Sequence, residues 1–339
     1  MIKTEKIKAI FDNITRSKKI HESVLLIENT DGNYSVNFGY GGKDINTPFF
    51  IASVTKLFVT TCILILKEQK KLFLNSLIKD FINNEKLVGL HNFKGIEYSH
   101  KLTISDLLFQ TSGLPDGLEE GGIIKSITQN DNEVSFEEVL NITKNITPKF
   151  KPGKRAYYSD INFRLLCNII ENITGTPLAK VFQDFICIPL GLKNTYLPRK
   201  KDDFIPGIYY KEKSLYRQNY ITSSYNYDAI STAKELMFFL KAFWNGLLFP
   251  KNNFDTLSVF RKLKITMGPI FYGGGYMQIP LNNINTLFSG KGELLGHSGS
   301  TGSFAFYYPH KDLYFIGDVN QMANPELPIR LVMKLAMSV

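Results

Sequence analysis

The stretch FFIASVTKLFVT, residues 49–60, places one lysine at the head of an almost unbroken apolar run. Apart from two threonines, every residue from Leu57 to Leu66 is apolar. A helix that is apolar on nearly every face is normally buried on every face. Lys56 is therefore predicted to lie in the first turn of a buried helix, which is a costly place for a charge. Because helix positions three apart lie on the same face, Ser53 is expected beside it.

A serine next to a buried lysine is a candidate nucleophile. Desolvation can lower the pKa of a lysine by several units, so that it takes a proton from a nearby hydroxyl or holds a neighbour in its anionic form. At the start of the helix, Ser53 would also lie near backbone N–H groups, which favour developing negative charge. Ser53 and Lys56 are thus the first candidate catalytic residues.

The spacing S-x-x-K is weak evidence alone, because it occurs three times in the chain. The other two pairs are Ser76/Lys79 and Ser231/Lys234. For both, the simpler interpretation is a serine near a helix start and a lysine in solvent. For the first pair the competing interpretation is a lysine that snorkels out of the apolar patch.

Tyr158, in the stretch YYSDINF at residues 157–163, is a candidate general base. A tyrosine beside a lysine ammonium can be held as phenolate or can share its proton. Taken singly, such a tyrosine is more often an aromatic residue of the core.

The stretch GHSGSTGS, residues 296–303, supplies a third element at the start of the C-terminal strands. Gly299 would let a substrate backbone lie close against the strand edge. The Ser300 N–H is predicted to join the Ser53 N–H as an oxyanion hole. His297 could orient the tyrosine, relay a proton or bind a polar end of the substrate. Taken singly, it is more often a hydrogen-bonded structural residue.

Composition excludes several other classes of protein. At 339 residues, two domains or one domain with a large insertion are expected. The hydrophobic fraction of 44% and the charged fraction of 21% are ordinary for a globular protein. The net charge of +9 is spread over scattered lysines, and no basic run with spaced aromatics suggests nucleic acid as a partner.

Localisation and cofactors follow from the same residues. The first 19 residues lack the hydrophobic centre of a signal peptide and favour an amphipathic helix, so a cytoplasmic location is expected unless the chain has been trimmed. The longest apolar run is too short for a membrane span. Three cysteines in apolar surroundings favour buried free thiols, and the five histidines have no metal-binding spacing. No metal or cofactor is expected.

The pattern of elements predicts an α+β fold. Both chain ends favour strands, with a hairpin at Asp31-Gly32 and another around residues 309–312. The middle is mainly helical, with a capping box at Ser135 and Glu138 and helix ends at Gly175 and Gly246. A closing helix is expected over residues 325–337.

Strands from both ends most simply join into one antiparallel sheet flanked by helices. This predicts a discontinuous sheet domain, residues 1–70 and 230–339, and an inserted, mainly helical domain, residues 71–229. An active site is expected in the cleft between them.

These elements, in this order, resemble the penicillin-recognising serine hydrolases, above all the class C β-lactamase-like group with its DD-peptidases, D-aminopeptidases and esterases. S-x-x-K is one motif of that family. TISDLLFQTSGLPD, FKPGKRAYYSD, ISTAKELMFFLKAFWNG and GHSGSTGS also look like family landmarks in family order. The resemblance extends from about residue 25 to about residue 325 and implies the β-lactamase/transpeptidase-like fold.

The resemblance implies roles residue by residue. Ser53 matches the acylated nucleophile, Lys56 its proton-handling partner, Tyr158 the general base, and His297 with Gly299 the third motif. This chain departs from the family at two of its positions.

The first departure is Asp160, where the family has asparagine. Asparagine can donate a hydrogen bond to a substrate amide carbonyl, whereas an ionised aspartate can only accept one. The negative charge of Asp160 should also keep Lys56 protonated. The second departure is His297, which stands in place of the lysine of the third motif; a neutral histidine anchors a substrate carboxylate less well than an ammonium.

The sequence therefore predicts a serine acyl hydrolase that forms a covalent acyl-enzyme with a small ester or amide, of the esterase or D-amino-acid peptidase type. Two alternatives remain open: a slow β-lactamase, and a penicillin-binding protein that acylates without efficient turnover. The expected partner is a small-molecule substrate, and the sequence does not indicate an oligomeric state.

Overall fold

The computed structural model describes residues 4–263, 269–283, 286 and 289–339 of the chain. Its α-helices are α1 (Thr4–Thr15), α2 (Thr55–Glu68), α3 (Asn84–Leu87), α4 (Ile104–Leu108), α5 (Gly117–Glu120), α6 (Ile123–Gln129), α7 (Phe136–Lys144), α8 (Asp160–Thr174), α9 (Leu178–Phe182), α10 (Ile188–Leu190), α11 (Gln218–Thr222), α12 (Ala233–Asn245), α13 (Asn253–Leu257) and α14 (Leu327–Ser338).

The strands in the same part of the chain are β1 (Ser23–Asn29), β2 (Ser35–Tyr40), β3 (Phe49–Phe50), β4 (Asn92–Phe93), β5 (Ile96–Glu97), β6 (Ile208–Tyr210), β7 (Lys213–Leu215), β8 (Ile230–Ser231), β9 (Arg261–Lys262), β10 (Phe271–Tyr272), β11 (Met277–Pro280), β12 (Glu293–Ser298), β13 (Ser303–Tyr308) and β14 (Leu313–Asp318).

Eight of these strands form one sheet in the order β2-β1-β14-β13-β12-β11-β10-β9, and all its pairs are antiparallel. The N-terminal hairpin joins the C-terminal strands through β1 and β14, with Leu26 opposite Ile316. The predicted antiparallel sheet from both chain ends, flanked by helices, is confirmed.

Helices cover the sheet where it is apolar. The central strands β13 and β14 are buried almost throughout, because α14 packs on β13 and β12 while α12 packs on β14, β1 and β13. The amphipathic α1 turns Ile7, Phe11 and Ile14 inward and packs against α14. The predicted amphipathic N-terminal helix is thereby confirmed.

The helix boundaries predicted from the sequence agree with the structure. Ser135 and Glu138 form a reciprocal capping box at α7, and α8 ends at Gly175 and α12 at Gly246, both with left-handed backbone. Residues 71–229 hold α3 to α11, but also the short hairpins β4–β5 and β6–β7. The division into two domains at residues 70 and 230 stays a prediction.

Helix α2 is the central element of the fold. All but three of its fourteen residues are buried. Phe58 stacks on Phe239 of α12 with ring centroids 3.8 Å apart and also meets Phe182 of α9. The helix packs against α8 and touches β12 as well. The apolar run after Lys56 is buried because α2 has neighbours on every side.

Candidate active site

Ser53 lies in a tight turn, not in the helix itself. A single 3₁₀ turn, Ala52–Val54, joins β3 to α2. Ala52 has a φ of +44°, a value that non-glycine residues rarely adopt. The turn is held from outside, because the Ile51 N–H donates to Ala229 O at 3.0 Å and the Ser303 hydroxyl donates to Ile51 O at 2.7 Å. A strained and well-supported turn thus presents the half-buried Ser53.

Lys56 is completely buried in the first turn of α2. Its Nζ donates to Ser53 Oγ at 3.0 Å and to Asp160 Oδ1 at 2.7 Å. The rings of Tyr158, Phe163 and Tyr227 lie 5.2–5.5 Å from the ammonium. The lysine therefore points into the site and does not snorkel to solvent.

The charge of Lys56 is retained. Burial alone lowers its pKa, but the attraction of Asp160, together with neighbouring acidic groups, raises the net pKa well above the usual lysine value. Of the two opposing expectations from the sequence, the structure favours a protonated lysine over a desolvated, neutral one. An ammonium can orient the serine and stabilise negative charge, but it cannot accept the serine proton.

Asp160, at the start of α8, has hydrogen bonds to both carboxylate oxygens. Oδ1 accepts from Lys56 and from the Tyr227 hydroxyl at 2.7 Å, and Oδ2 accepts from the Tyr225 hydroxyl at 3.0 Å. Burial raises the pKa of Asp160, but Lys56 and the two tyrosines lower it, and the net pKa lies below the usual value. The carboxylate is therefore ionised and forms an ion pair with Lys56.

A second carboxylate lies behind Asp160. Asp116 accepts the Asp160 N–H at 3.3 Å and also caps α5 through the N–H of Leu118. Burial, and then the charge of Asp160, raise the pKa of Asp116 to about 7. Residue 160 is thus fixed by its side chain on one side and its backbone on the other.

Tyr158 packs beside the lysine at the edge of the site. Its ring meets Tyr272 edge-on, with centroids 5.9 Å apart. The flanking backbone is held by Gln110, whose carbonyl accepts the Tyr157 N–H and whose side chain accepts the Ser159 N–H, both at 2.9 Å. Burial raises the pKa of Tyr158 against the opposing effect of Lys56, so the phenol is neutral near pH 7.

His297 is buried in β12 and contacts aromatic side chains. Its Nδ1 donates to Ser298 O at 2.8 Å, and its Nε2 lies 3.3 Å from the Tyr272 hydroxyl. Burial and the charge of Lys56 lower its pKa to about 3, so the ring is neutral. The ring centroid lies 6.0 Å from that of Tyr158. Of its predicted roles, this geometry favours orienting the tyrosines over binding a polar end of the substrate.

Gly299 is required by the serine turn. A Cβ at this position would collide with Ser303 Oγ and would come within 2.8 Å of Ile51 O and 2.9 Å of Ala52 Cβ. Sequence reasoning attributed this glycine to a close approach of substrate. The structure gives a different reason, since the backbone beside Ser53 already occupies that space.

A cavity of about 60 Å³ is lined by three of the predicted site residues, whereas Lys56, Tyr158, His297 and Gly299 do not line it. Ser53, Asp160 and Ser300 all line it. The rest of its wall is mixed. Apolar residues of α5, α6 and the β6–β7 hairpin contribute Leu118, Ile124, Ile127, Ile208 and Leu215, and the polar lining residues are Arg217, Tyr220, Asp228 and Thr301.

The other S-x-x-K serines lie elsewhere. Ser76 lies in a loop, where its hydroxyl accepts the Phe73 N–H. Ser231 lies in β8, and its hydroxyl is 2.8 Å from the Thr195 hydroxyl. Neither residue lines the cavity of Ser53.

Sequence reasoning did not identify Tyr225, Tyr227 or Asp228 as parts of the site. They occupy one short stretch, SYNYDAI, directly before β8. A dense group of tyrosines and an aspartate just ahead of the ISTAKEL landmark was the available signal.

Within the described ranges no group of three or more His, Cys, Asp or Glu could hold a metal ion. Cys62, Cys167 and Cys187 are buried and free, as predicted. None of the helices in the described ranges is long and apolar enough to cross a bilayer.

Comparison with known proteins identifies the class. Residues 23–333 match the Beta-lactamase family, and the chain belongs to it. The family predicted from the sequence is therefore confirmed.

Individual relatives are more distant. Protein flp of Staphylococcus aureus (strain MW2) is 30% identical over 181 residues, which make up 51% of this chain and 34% of that protein. The chain spans about a third of the length of the curated relatives it matches.

Two solved structures are similar over almost the whole chain. The octameric penicillin-binding protein homologue of Pyrococcus abyssi has a TM-score of 0.78 at 23% identity, covering 98% of this chain and 76% of that one. The D-amino acid amidase of Ochrobactrum anthropi SV3 with D-phenylalanine has a TM-score of 0.77 at 17% identity, covering 99% of both chains. At these identities the likeness shows the shared fold.

Proposed function

We propose that the protein is a serine acyl hydrolase that forms a covalent acyl-enzyme on Ser53 with a small ester or amide. The observation that carries the proposal is the chain of hydrogen bonds from Ser53 Oγ to Lys56 Nζ, 3.0 Å, and on to Asp160, 2.7 Å. A serine with an ammonium beside it, on a strained turn at a cavity, is arranged for nucleophilic attack.

In the proposed acylation step, Ser53 Oγ attacks the substrate carbonyl, and its proton moves to the oxygen of Tyr158 only as the phenol gives up its own proton, so that this oxygen never carries two protons. The neutral phenol passes its own proton to the leaving group as the bond to that group breaks. Lys56 stays protonated and stabilises the charge that develops between them. The N–H groups of Ser53 and Ser300 would hold the carbonyl oxygen.

Deacylation runs the same relay in reverse. Water attacks the acyl carbon and gives a proton to Tyr158, which returns its own to Ser53 Oγ as the ester bond breaks. The carboxylic acid leaves and the resting protonation states are restored.

The substrate is proposed to be a small ester or an amino-acid amide. Two observations support a small acyl group: one of the proteins with a similar fold is a D-amino acid amidase, and the cavity beside Ser53 is narrow. Hydrolysis of β-lactams is the second candidate and should be slow, because the ionised Asp160 cannot donate to the amide carbonyl of a β-lactam side chain. Acylation without turnover, as in a penicillin-binding protein, is the third.

One substrate panel separates these candidates. Turnover of p-nitrophenyl butyrate and of an amino-acid p-nitroanilide is measured beside nitrocefin, with intact-protein mass spectrometry for a trapped acyl group. Ester or amide turnover well above nitrocefin turnover supports the proposal. Rapid nitrocefin hydrolysis favours the β-lactamase, and a stable penicilloyl adduct favours the penicillin-binding protein.

A further inference from the structure

Asp228 is a charged residue of the cavity that the mechanism above does not use. It lines the same cavity as Ser53 and Asp160. Within the described part of the chain, no side chain hydrogen-bonds or ion-pairs with its carboxylate; its only hydrogen bond runs from its own N–H to Asn226, at 3.4 Å. Asp160 next to it has donors on both oxygens.

The position of Asp228 is fixed on both sides. Its preceding neighbour, Tyr227, donates to Asp160. Its following neighbour, Ala229, donates its N–H to the Thr55 hydroxyl at 2.9 Å and accepts from Ile51, beside the serine turn. The backbone of Asp228 is thus held at a set place relative to the nucleophile, and its side chain lines the cavity.

The cations around Asp228 are engaged elsewhere. Lys56 donates to Ser53 and Asp160. Arg199 donates to the carbonyls of Pro198 and Ser223, and Arg217, which also lines the cavity, donates to those of Ile127 and Tyr216. None of the three is ion-paired with Asp228. A partly buried carboxylate without an ion-paired cation is costly, and a ligand cation would lower that cost.

We propose that Asp228 binds a positively charged amino group of the substrate, so that the site takes small amino-acid amides or esters with a free ammonium. This inference rests on the proposed acyl hydrolase function and narrows its substrate class. It also assigns a specificity-determining role to a residue outside the three motifs of the site.

The protonation of Asp228 supports this role. Burial, and then the charge of Asp160, raise its pKa to about 7, against the effects of Lys56 and Arg199. Arg217 and the phenol of Tyr220 also face the cavity. A bound ammonium would favour the ionised carboxylate, so binding of a cation should weaken as the pH falls below about 7.

The test is a binding measurement that needs no turnover. Alaninamide, in both enantiomers, and isobutyramide differ only by an ammonium in place of a methyl group. Their dissociation constants are measured by NMR titration of the Ser53→Ala protein at pH 7, where the amine is mostly protonated. Alaninamide should bind at least about tenfold more tightly than isobutyramide.

Asp228→Asn in the same background should bring the two amides to within about twofold of each other. Asp202→Asn, at an exposed position, is the matched control and should keep the difference. As a check without substitution at 228, the preference should shrink between pH 7.0 and 5.5, a range in which alaninamide is mostly a cation.

Equal binding of the two amides at pH 7, or a preference that survives Asp228→Asn, overturns the inference. Wild-type protein is tested in parallel for turnover of alanine p-nitroanilide, which carries the ammonium, and of p-nitrophenyl butyrate, which does not. Absence of turnover with an Asp228-dependent preference for alaninamide refutes the proposed function and leaves the ammonium site standing. Turnover without the preference for alaninamide refutes the ammonium site and leaves the proposed function standing.

Discussion

Two lysines in the described part of the chain are buried beside carboxylates, Lys43 and Lys56, and the difference between them shows what makes one of them a candidate site. Lys43 pairs with Asp318 at 2.8 Å and Glu22 at 2.7 Å beside the sheet. Lys56 pairs with Asp160 at 2.7 Å between α2 and α8. Both lysines are almost completely buried, and the net pKa of each is raised. Burial and pairing are therefore common to both.

The difference lies in what else each ammonium meets. Two carboxylates accept from Lys43, and that residue does not line the cavity of Ser53. Lys56 has one carboxylate partner and directs another donor to a serine hydroxyl at 3.0 Å. A buried lysine thus indicates chemistry only when a nucleophile and a cavity accompany it.

Removing each ammonium in turn is the strongest test of the difference between Lys56 and Lys43. Lys56→Met and Lys43→Met both leave buried carboxylates without their cation, so each should lower the free energy of unfolding by roughly 3–5 kcal/mol. Lys56→Met should also lower kcat/KM for p-nitrophenyl butyrate by about 10²–10⁴-fold. Lys43→Met should keep the kcat/KM of its folded fraction within about twofold.

Denaturant unfolding and ester hydrolysis measured on the same preparations provide both readouts. A comparable loss of kcat/KM in the two variants would mean that Lys56 acts through stability alone.

Asp160→Asn tests the carboxylate of the catalytic pair. The change removes a negative charge beside Lys56, whose pKa should fall, and it supplies an amide donor. A β-lactam with an acylamino side chain should gain up to about tenfold in kcat/KM from one added hydrogen bond. A simple aryl ester lacks that group and should gain little.

Benzylpenicillin and p-nitrophenyl butyrate are compared on wild-type and Asp160→Asn protein. An equal loss of rate on both substrates would make Asp160 part of the proton network instead of a substrate-contact position.

Tyr227→Phe should have the smallest effect. Its hydroxyl donates to the oxygen of Asp160 that also accepts from Lys56. The pKa of Asp160 is depressed in the folded protein, so the carboxylate contributes stability above its unfolded pKa, and this is lost as the pH falls through the folded pKa. Loss of the donor raises that folded pKa, and we expect about 1 kcal/mol lower stability at pH 7 and acid unfolding at a higher pH.

Urea unfolding at pH 7 and an acid titration followed by circular dichroism check this. Tyr216→Phe, at a largely exposed tyrosine, is the control and should match the wild type. Unchanged acid unfolding in Tyr227→Phe would show that the hydroxyl does not hold the carboxylate.

The parts of the site that sequence could predict are those with local signals. Ser53 and Lys56 are three residues apart at a change from polar to apolar sequence, and the structure joins their side chains. The capping box at Ser135 and the helix end at Gly175 likewise depend on neighbouring residues. The sheet follows from strand patterns at both chain ends.

The parts that sequence could not predict arise from tertiary contacts. Tyr225 and Tyr227 reach Asp160 from 65 and 67 residues away, and nothing in their spacing indicates a shared partner. The strained φ of Ala52 depends on the Ser303 hydroxyl of β13 and on the Ala229 carbonyl just before β8, which hold the neighbouring Ile51. The net pKa of Lys56 depends on whether burial or Asp160 has the larger effect, which only the packed structure decides.

The most direct test of the central claim is to locate the acylated residue. Wild-type protein is labelled with a fluorophosphonate probe, digested and sequenced by tandem mass spectrometry, beside Ser53→Ala and Ser76→Ala. The account predicts one modified residue, Ser53, with labelling lost in Ser53→Ala and kept in Ser76→Ala. Labelling of another serine, or undiminished labelling of Ser53→Ala, would contradict it.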